Sequence, residues 1–402
     1  MSGRRLRVGV AGLGRAFTLM LPTFTCDSRV KLVAAADPRS EARLAFAADF
    51  GGRVHETVEA LCADDSVEVV YIATPHPLHA EHAALAAAFG KHILVEKPMA
   101  LTLEECAAMI DAAARAHVTL IIGHSHSFDA PIALARAIIE SGAVGAVTMI
   151  QAQCYTDFLY RLRRPDELAT ERGGGVVYSQ AAHQVDIVRL LAGGRVRSVR
   201  ALTGAWDASR PTEGAYAALL AFDDGAYASL VYSGYAHFDS DEFCGGTSEL
   251  GALKPASHYG SARRGLAALD ATGPERAIAE AQAKARRGYG GATHAPAKSA
   301  GSPWHEHFGS IIVSCERADL RPLPTGVMVY GDADARMHPL PRPAVPRAEV
   351  IDELYAAIVD GVPALHDGRW GMATHEVCLG MLRSAREGRD VAMRHQVALR
   401  AR

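Results

Sequence analysis

Between residues 6 and 122 the chain alternates strand-length apolar runs with Ala-rich segments of helical spacing. That alternation restricts this part to a parallel sheet covered by helices, because parallel strands need long crossover connections. The runs are LRVGVAGLG, VKLVAAADP, VEVVYIATP, HILVEKP and VTLIIGHS. Between them lie segments such as PLHAEHAALAAAFG and LTLEECAAMIDAAARAH. The latter opens at Thr102 with Glu104 and Glu105 in its first turn, a pattern that starts helices. One run ends abruptly: HILV stops at Glu96-Lys97-Pro98, and a proline has no N–H with which to continue a central strand. The ends of strands in open α/β sheets are where ligands bind.

After about Asp129 the pattern changes. A helical segment, PIALARAIIESG, leads into longer runs of alternating residues: AVTMIQAQCY, VRSVRALTGAW, AYAALLAFDDGAYASLVYSGY, FGSIIVSCERA and GVMVYGD. Asp223-Asp224-Gly225 between two such runs reads as a hairpin. These features predict a second domain on a largely antiparallel sheet, and a length of 402 residues agrees with two domains. Residues 239–303 interrupt the pattern with Gly, Ser, Lys and Arg-rich sequence, an expected exposed insertion with one helix at ERAIAEAQAKARRG. RWGMATHEVCLGMLRSAREGR reads as a closing amphipathic helix.

A formal net charge of -3 without a long single-sign run gives no reason to expect a nucleic acid or an anionic membrane as partner. No apolar stretch has the length and composition of a membrane span. The start, MSGRRLRVGVAGLG, imitates a signal peptide, but Gly12, Gly14 and Arg15 interrupt the apolar run, so a structural first strand is expected. Seven cysteines occur singly with no CxxC pair, which points to reduced thiols and a cytoplasmic protein.

Three motifs carry chemistry. In GVAGLGRAF, the glycines Gly9, Gly12 and Gly14 follow a strand, and Arg15, Ala16 and Phe17 begin the next helix. Such a turn lets a pyrophosphate approach backbone N–H groups at a helix N-terminus, although Phe17 stands where a third glycine is usual. Asp37, ending the second strand, suits the ribose hydroxyls of NAD and repels a 2′-phosphate; Arg39 leaves NADP open. A tight turn with a capping Asp would look the same. Glu96-Lys97-Pro98 places a lysine at a strand end, where partial burial and a nicotinamide cation would favour its acting as a base; a surface lysine paired with Glu96 is the plain alternative. In GGGVVYSQAAHQVDIVRLL, Ser179 and His183 share a helix face, and His183 and Asp186 are neighbours, as in a proton shuttle or in a capped core helix.

Together, the glycine turn, ATPHPLHAEHAALAAAFGKHILVEKP and GGG…AAHQVD resemble the glucose–fructose oxidoreductase/inositol dehydrogenase (Gfo/Idh/MocA) family over nearly the whole chain. The resemblance implies a Rossmann doubly wound parallel sheet over 1–126. It further implies a C-terminal α/β domain over 127–402 with a large open, mostly antiparallel sheet used to form a homodimer or homotetramer. It implies NAD as cofactor, no metal, and service to the reacting hydroxyl by Lys97 and His183. Thr74, Pro75, His76, His79 and Glu96 fall on cofactor-contacting positions. Two departures concern the substrate. Sugar- and inositol-oxidising members usually carry Asp where this chain has Ser179, and an Arg-Phe where it has Ser127-Phe128.

YTDFLYRLRRPDEL places Arg161, Arg163 and Arg164 just before the glycine-led helix. Arginine forks match carboxylates, so an anionic small-molecule substrate is expected, even a dicarboxylate, unless this is a solvated basic loop. With GSIIVSCERADLRP…GVMVYGD these residues resemble one branch of the family, the phthalate 4,5-cis-dihydrodiol dehydrogenases and related carboxylated diene-diol dehydrogenases. HSHS (124–127) and WHEHFG (304–309) invite a metal reading but lack a tight third and fourth ligand; His126, His305 and His307 are expected to line the substrate pocket. The expected reaction is NAD-dependent oxidation of a carboxylated cis-dihydrodiol, with cis-4,5-dihydroxy-4,5-dihydrophthalate as best guess. An inositol, sugar or sugar-acid dehydrogenase is the alternative, and a non-catalytic NAD-sensing regulator stands further off.

Overall fold

Strand β1 (Leu6–Ala11) buries five of its six residues, as a strand covered on both faces must. In the computed structural model, which describes residues 3–269, 273–293 and 303–399, it sits inside a six-stranded sheet. The other strands are β2 (Val30–Ala36), β3 (Arg53–His55), β4 (Val69–Ile72), β5 (His92–Val95) and β6 (Leu120–Ile122), in the order β3-β2-β1-β4-β5-β6. Every pair is parallel. The chain steps outward from β1 to β3 and then resumes on the other side of β1 with β4, so the topological switch point lies between β1 and β4. Register sets the strand ends in a row: Ala11 pairs with Ala36 and Ile72, Ile72 with Val95, and Val95 with Ile122. The crossovers are the helices α1 (Arg15–Cys26), α2 (Ser40–Phe50), α3 (Val58–Cys62), α4 (His79–Ala88) and α5 (Leu103–Arg115). Helix α5 starts as its sequence predicts, with Thr102 and Glu105 forming a capping box.

The second sheet has nine strands in the order β14-β13-β12-β11-β7-β10-β9-β8-β15. They are β7 (Val147–Tyr155), β8 (Val196–Gly204), β9 (Ala215–Phe222), β10 (Tyr227–Ser233), β11 (Ser310–Cys315), β12 (Asp319–Leu323), β13 (Gly326–Tyr330), β14 (Ala335–Pro339) and β15 (Val391–Ala392). All pairings are antiparallel except β7 with β10. Asp223-Asp224-Gly225 makes the predicted hairpin between β9 and β10, with Gly225 at φ +96°. Alternation gives the sheet two faces. Tyr216, Leu220, Leu230, Ile150 and Val313 are buried, on the side that takes helices α6 (Ala130–Glu140) and α7 (Ala182–Ala192). Leu202, Leu219 and Ile312 stand exposed on the other.

The described residues divide into two units, one formed by those within Met1–His124, Ala281–Gly301 and Val345–Met372, the other by those within Ser125–Glu280, Ser302–Ala344 and Ala373–Arg402. The two later stretches in the first unit correct the boundaries expected from sequence, which gave everything after residue 126 to the second domain. Next to β6, the Ile122 N–H donates to the His366 carbonyl at 2.9 Å. Tyr289 is 1% exposed, lies edge-on to Phe17 at 5.1 Å, and donates its hydroxyl to Asp49 at 2.6 Å. The 239–303 segment is therefore not simply exposed. It contains the predicted helix (α9, Gly273–Arg287, after α8, Ser261–Ala267), and it buries Cys244, Leu266, Glu280 and Tyr289. Residues 270–272 and 294–302 of that expectation lie outside the described residues. No described helix is long and apolar enough to cross a membrane, and all seven cysteines are unbridged.

Glu280 anchors this arrangement within the second unit. It takes both N–H bonds of the Arg210 Nη1 at 2.9 and 3.0 Å and the Arg163 backbone N–H at 2.6 Å, with both charged side chains almost wholly buried. Removing one partner strands the other charge in the interior. Glu280→Ala is expected to destabilise the second unit by about 3–5 kcal/mol in urea unfolding. Arg210→Met with Glu280→Met is expected to lose less than Glu280→Ala alone; an equal or larger loss would contradict this account.

Candidate active site

The row of strand ends in the first unit gathers the predicted cofactor residues. Gly12 follows β1 with φ +93°, and a Cβ there would sit 2.8 Å from the Ala73 carbonyl oxygen. Only glycine lets the backbone pass so close to the turn after β4. Gly14 caps the N-terminus of α1 with no side chain in the way, and Arg15 and Ala16 begin the helix at the surface. Backbone N–H groups at a helix start of this kind can receive a pyrophosphate. Gly9 is an interior strand residue: a Cβ would lie 2.9 Å from both methyls of Val67, so it serves packing and not the cofactor turn. Phe17, expected at the cofactor, is 0% exposed and faces Phe46 and Tyr289; its side chain belongs to the core.

Asp37 is buried directly past β2. Its carboxylate accepts the Leu13 N–H at 2.8 Å, the Arg39 N–H at 2.9 Å and the Arg39 Nε and Nη2 at 3.0 and 3.2 Å. Arg39 also donates to the Leu13 carbonyl at 2.9 Å. The pair thus stitches the glycine turn to the end of β2.

After β4, Thr74, Pro75 and His76 form a partly exposed turn, with Thr74 Oγ1 bonded to His82 at 3.0 Å. His79 is another correction. It is completely buried, one ring nitrogen 2.9 Å from the Thr74 carbonyl and the other 2.9 Å from the Pro98 carbonyl. Burial holds its pKa below the ordinary histidine value. Its ring lies between the Thr74 turn and the residue after Lys97, a neutral imidazole donating to one of the two carbonyls, and is enclosed by protein. Glu96 is also turned inward: it accepts the Tyr71 hydroxyl at 2.5 Å, and burial raises its pKa. Lys97, next in the chain, is half-buried at the end of β5.

In the second unit, Gly175 (φ +81°) packs so closely on Glu213 that a Cβ would overlap its carboxylate. A π-turn, Val177–Ala181, follows and delivers α7 with His183 at its second residue; such turns recur at functional sites. Ser179 donates to the Gly175 carbonyl. His183 is 5% exposed, and its Nδ1 accepts the His126 backbone N–H at 3.4 Å. A neutral His183 then carries its proton on Nε2. Asp186 accepts the hydroxyls of Ser127 at 2.5 Å and Thr374 at 2.6 Å, an engagement that the spacing to His183 did not suggest.

His126 is buried beside His183, ring centroids 4.7 Å apart, with Phe308 against both rings. Its Nδ1 lies 2.7 Å from Asp129 and its Nε2 3.5 Å from Glu249. Burial opposes the charge, but Asp129 and Glu249 outweigh it and push the imidazole up to about 10. Asp129 and Glu249 were not singled out from sequence: Asp129 sat in a helix start, and Glu249 in a stretch without periodicity. His126, Asp129 and Glu306 offer ligand atoms within 4.8 Å of one another, close enough for a cation.

The three arginines part company. Arg164 pairs with Asp166 at 3.2 Å and Glu167 at 3.9 Å and is engaged locally. Arg163 lies 3.7 Å over the Phe158 ring and donates to the Phe158 carbonyl at 2.7 Å, with no ion-pair partner among the described residues. Burial pushes it down to about 10 against the opposing pull of the Glu167 charge, with the neighbouring Arg161 charge adding to the push. Arg161, 5.5 Å over the same ring, reaches Asp157 and Glu249 only at 4.0 Å each. His305 and His307 are corrected as pocket residues. His305 bonds the Pro341 carbonyl at 2.9 Å; His307 is buried with Nε2 on the Thr247 carbonyl at 2.8 Å and Nδ1 accepting the Gly309 N–H at 3.2 Å.

Two family models match the chain: an oxidoreductase family, NAD-binding Rossmann fold, over residues 6–124, and a GFO/IDH/MocA C-terminal domain over residues 132–245. The chain is 48% identical over 378 residues, 94% of each protein, to a 1-carboxy-3-chloro-3,4-dihydroxycyclohexa-1,5-diene dehydrogenase of Comamonas testosteroni. A solved structure from Bordetella bronchiseptica RB50 matches with a TM-score of 0.89 at 43% identity, covering 97% of this chain and 100% of its own. The WlbA dehydrogenase from Bordetella pertussis, solved with NADH and UDP-GlcNAcA, shares the fold with a TM-score of 0.68 at 22% identity, over 97% of this chain and 99% of its own. The sheet built on β1 is thus an NAD-binding Rossmann domain.

His126 gives a pH prediction. Its pKa of about 10 in the fold exceeds the roughly 6.5 of an unfolded histidine. The stabilisation is therefore complete below about pH 6.5 and is lost as pH rises through 10. The Tm gap between the native chain and Asp129→Asn is expected to be widest near pH 6 and to close toward pH 10. A gap independent of pH would refute the paired imidazolium.

Proposed function

We infer the reaction from the premise that this chain belongs to the GFO/IDH/MocA oxidoreductase family. It is an NAD-dependent dehydrogenase acting on a dihydrodiol. The substrate proposed here is a cis-dihydrodiol of an aromatic ring bearing a carboxylate. The observation that carries this reading is Arg163, stacked on Phe158 with no ion-pair partner among the described residues and with Arg161 over the same ring. Two guanidinium groups over one ring suit a carboxylate ligand. Because Arg164 is committed to Asp166 and Glu167, a single carboxylate is favoured over the two of a phthalate diol. The relative from Comamonas testosteroni is named for a substrate with one carboxylate.

Gly12, Gly14 and the start of α1 would hold the pyrophosphate, and Asp37 a ribose hydroxyl. Bound NAD supplies the hydride acceptor. Lys97 takes the proton of one ring hydroxyl as hydride leaves the same carbon, and the resemblance to the family assigns His183 to serve the reacting hydroxyl as well. The product is a hydroxy-ketone whose tautomerisation to a catechol restores aromaticity and draws the oxidation forward. Ser179, turned to the Gly175 carbonyl, replaces the carboxylate that polyol-oxidising relatives usually have there. The exposed face of Leu202, Leu219 and Ile312 supports self-association through the nine-stranded sheet.

Purified protein with NAD is expected to form NADH with a monocarboxylated cis-dihydrodiol, more slowly with the phthalate 4,5-dihydrodiol, and not with myo-inositol. Turnover confined to inositol would overturn the substrate. Lys97→Met is expected to lower kcat by about 10²–10⁴-fold while NADH binding, read by fluorescence, persists; unchanged turnover would remove Lys97 from the mechanism.

A further inference from the structure

The turn 247–253 of the insertion has a fixed backbone and presents one charged side chain to the arginine site. Thr247 bridges Leu253, and Ser248 donates its N–H to the Ala252 carbonyl at 2.7 Å. The 304–307 segment grips the turn from outside: the Trp304 N–H donates to the Gly251 carbonyl at 3.2 Å, the His307 N–H to the Glu249 carbonyl at 3.2 Å, and the His307 ring bonds Thr247. From this mount the Glu249 carboxylate faces two cations. One oxygen is 3.5 Å from His126 Nε2, and the other 4.0 Å from Arg161 Nη1.

Both distances exceed those of a close charged hydrogen bond. His126 is held far more closely by Asp129, so its charge does not depend on Glu249 alone. Around Phe158, Arg163 has no ion-pair partner among the described residues, and the other acid near Arg161, Asp157, also stands at 4.0 Å. Glu249 is thus the carboxylate that a fixed turn brings to an arginine pair suited to an incoming carboxylate.

We propose that Glu249 is a place-holder for the substrate's carboxylate. It faces Arg161 and His126 while the site is empty, and it swings aside when the anion settles on Arg161 and Arg163. The proposal rests on the carboxylated-diol reading above. The insertion thereby contributes to selectivity, since Glu249 weakens every anion's hold on the arginines and leaves firm binding to ligands whose ring also packs on the site.

Benzoate, which has the ring and the carboxylate without the reacting diol, is the probe, with benzamide as neutral control, both titrated into the NAD-loaded protein by calorimetry. Glu249→Gln is expected to tighten benzoate binding about three- to tenfold, the scale of one partly exposed charge pair, and to leave benzamide unchanged. Glu249→Ala is expected to act in the same direction. Unchanged or weaker benzoate binding in both variants would overturn the proposal, provided that Arg163→Met weakens benzoate in the native background. If Arg163→Met has no effect, the carboxylate reading itself falls. A structure of the native protein with benzoate gives a test free of variants: Glu249 turned away from Arg161 supports the place-holder, and Glu249 still against it refutes the exchange.

Discussion

The site in the first unit depends on the register between parallel strands. Ala11, Ile72 and Val95 are paired across β1, β4 and β5, so Gly12, the Thr74 turn and Lys97 all begin at one edge. A slip of one residue in any strand would exchange its two faces and move these residues off the shared edge. The alignment is kept by side chains that never reach a substrate. His79 spans the carbonyls of Thr74 and Pro98, and Tyr71 on β4 holds Glu96 beyond β5. Placement of Lys97 is therefore a property of the sheet and of two buried polar contacts, not of the loop that carries it.

The second unit solves a different problem, the burial of charge. Arg210 and Glu280 neutralise each other in the interior, and Glu280 also receives the Arg163 backbone. Arg163 is then positioned by its main chain, while its guanidinium lies over Phe158 and donates to that residue's carbonyl. His126 is held charged by carboxylates and lies beside His183, whose Nδ1 meets the same residue's N–H.

Much of this was legible in the chain. Period-two and helical spacing predicted the two sheet types, because those patterns reflect burial directly. The glycine turn, Asp37 and the end of β5 fell where local motifs put them. The errors share a cause. Phe17, His79 and His307 sit inside or beside recognised motifs, yet their environments come from Tyr289, Pro98 and Thr247, which sequence proximity does not reveal. Arg164 went astray through neighbours only two and three residues away, Asp166 and Glu167, a local signal that was present and unread. Asp129 and Glu249 gain meaning only from His126, and nothing in their spacing marks them. Insertions with buried residues are equally hidden, since composition alone reads as surface.

Phe17 occupies the position where a dinucleotide-binding turn ordinarily has its last glycine, a residue that lets helix and strand approach closely. Here the phenyl ring is completed by Tyr289, more than two hundred and fifty residues later, with Asp49 holding the phenol. The unusual turn and the late segment are two halves of one joint and make sense only as a pair. Descendants of such a chain should gain or lose them together: a glycine at 17 removes the seat for Tyr289, and loss of the late segment uncovers a phenylalanine at the head of the first helix.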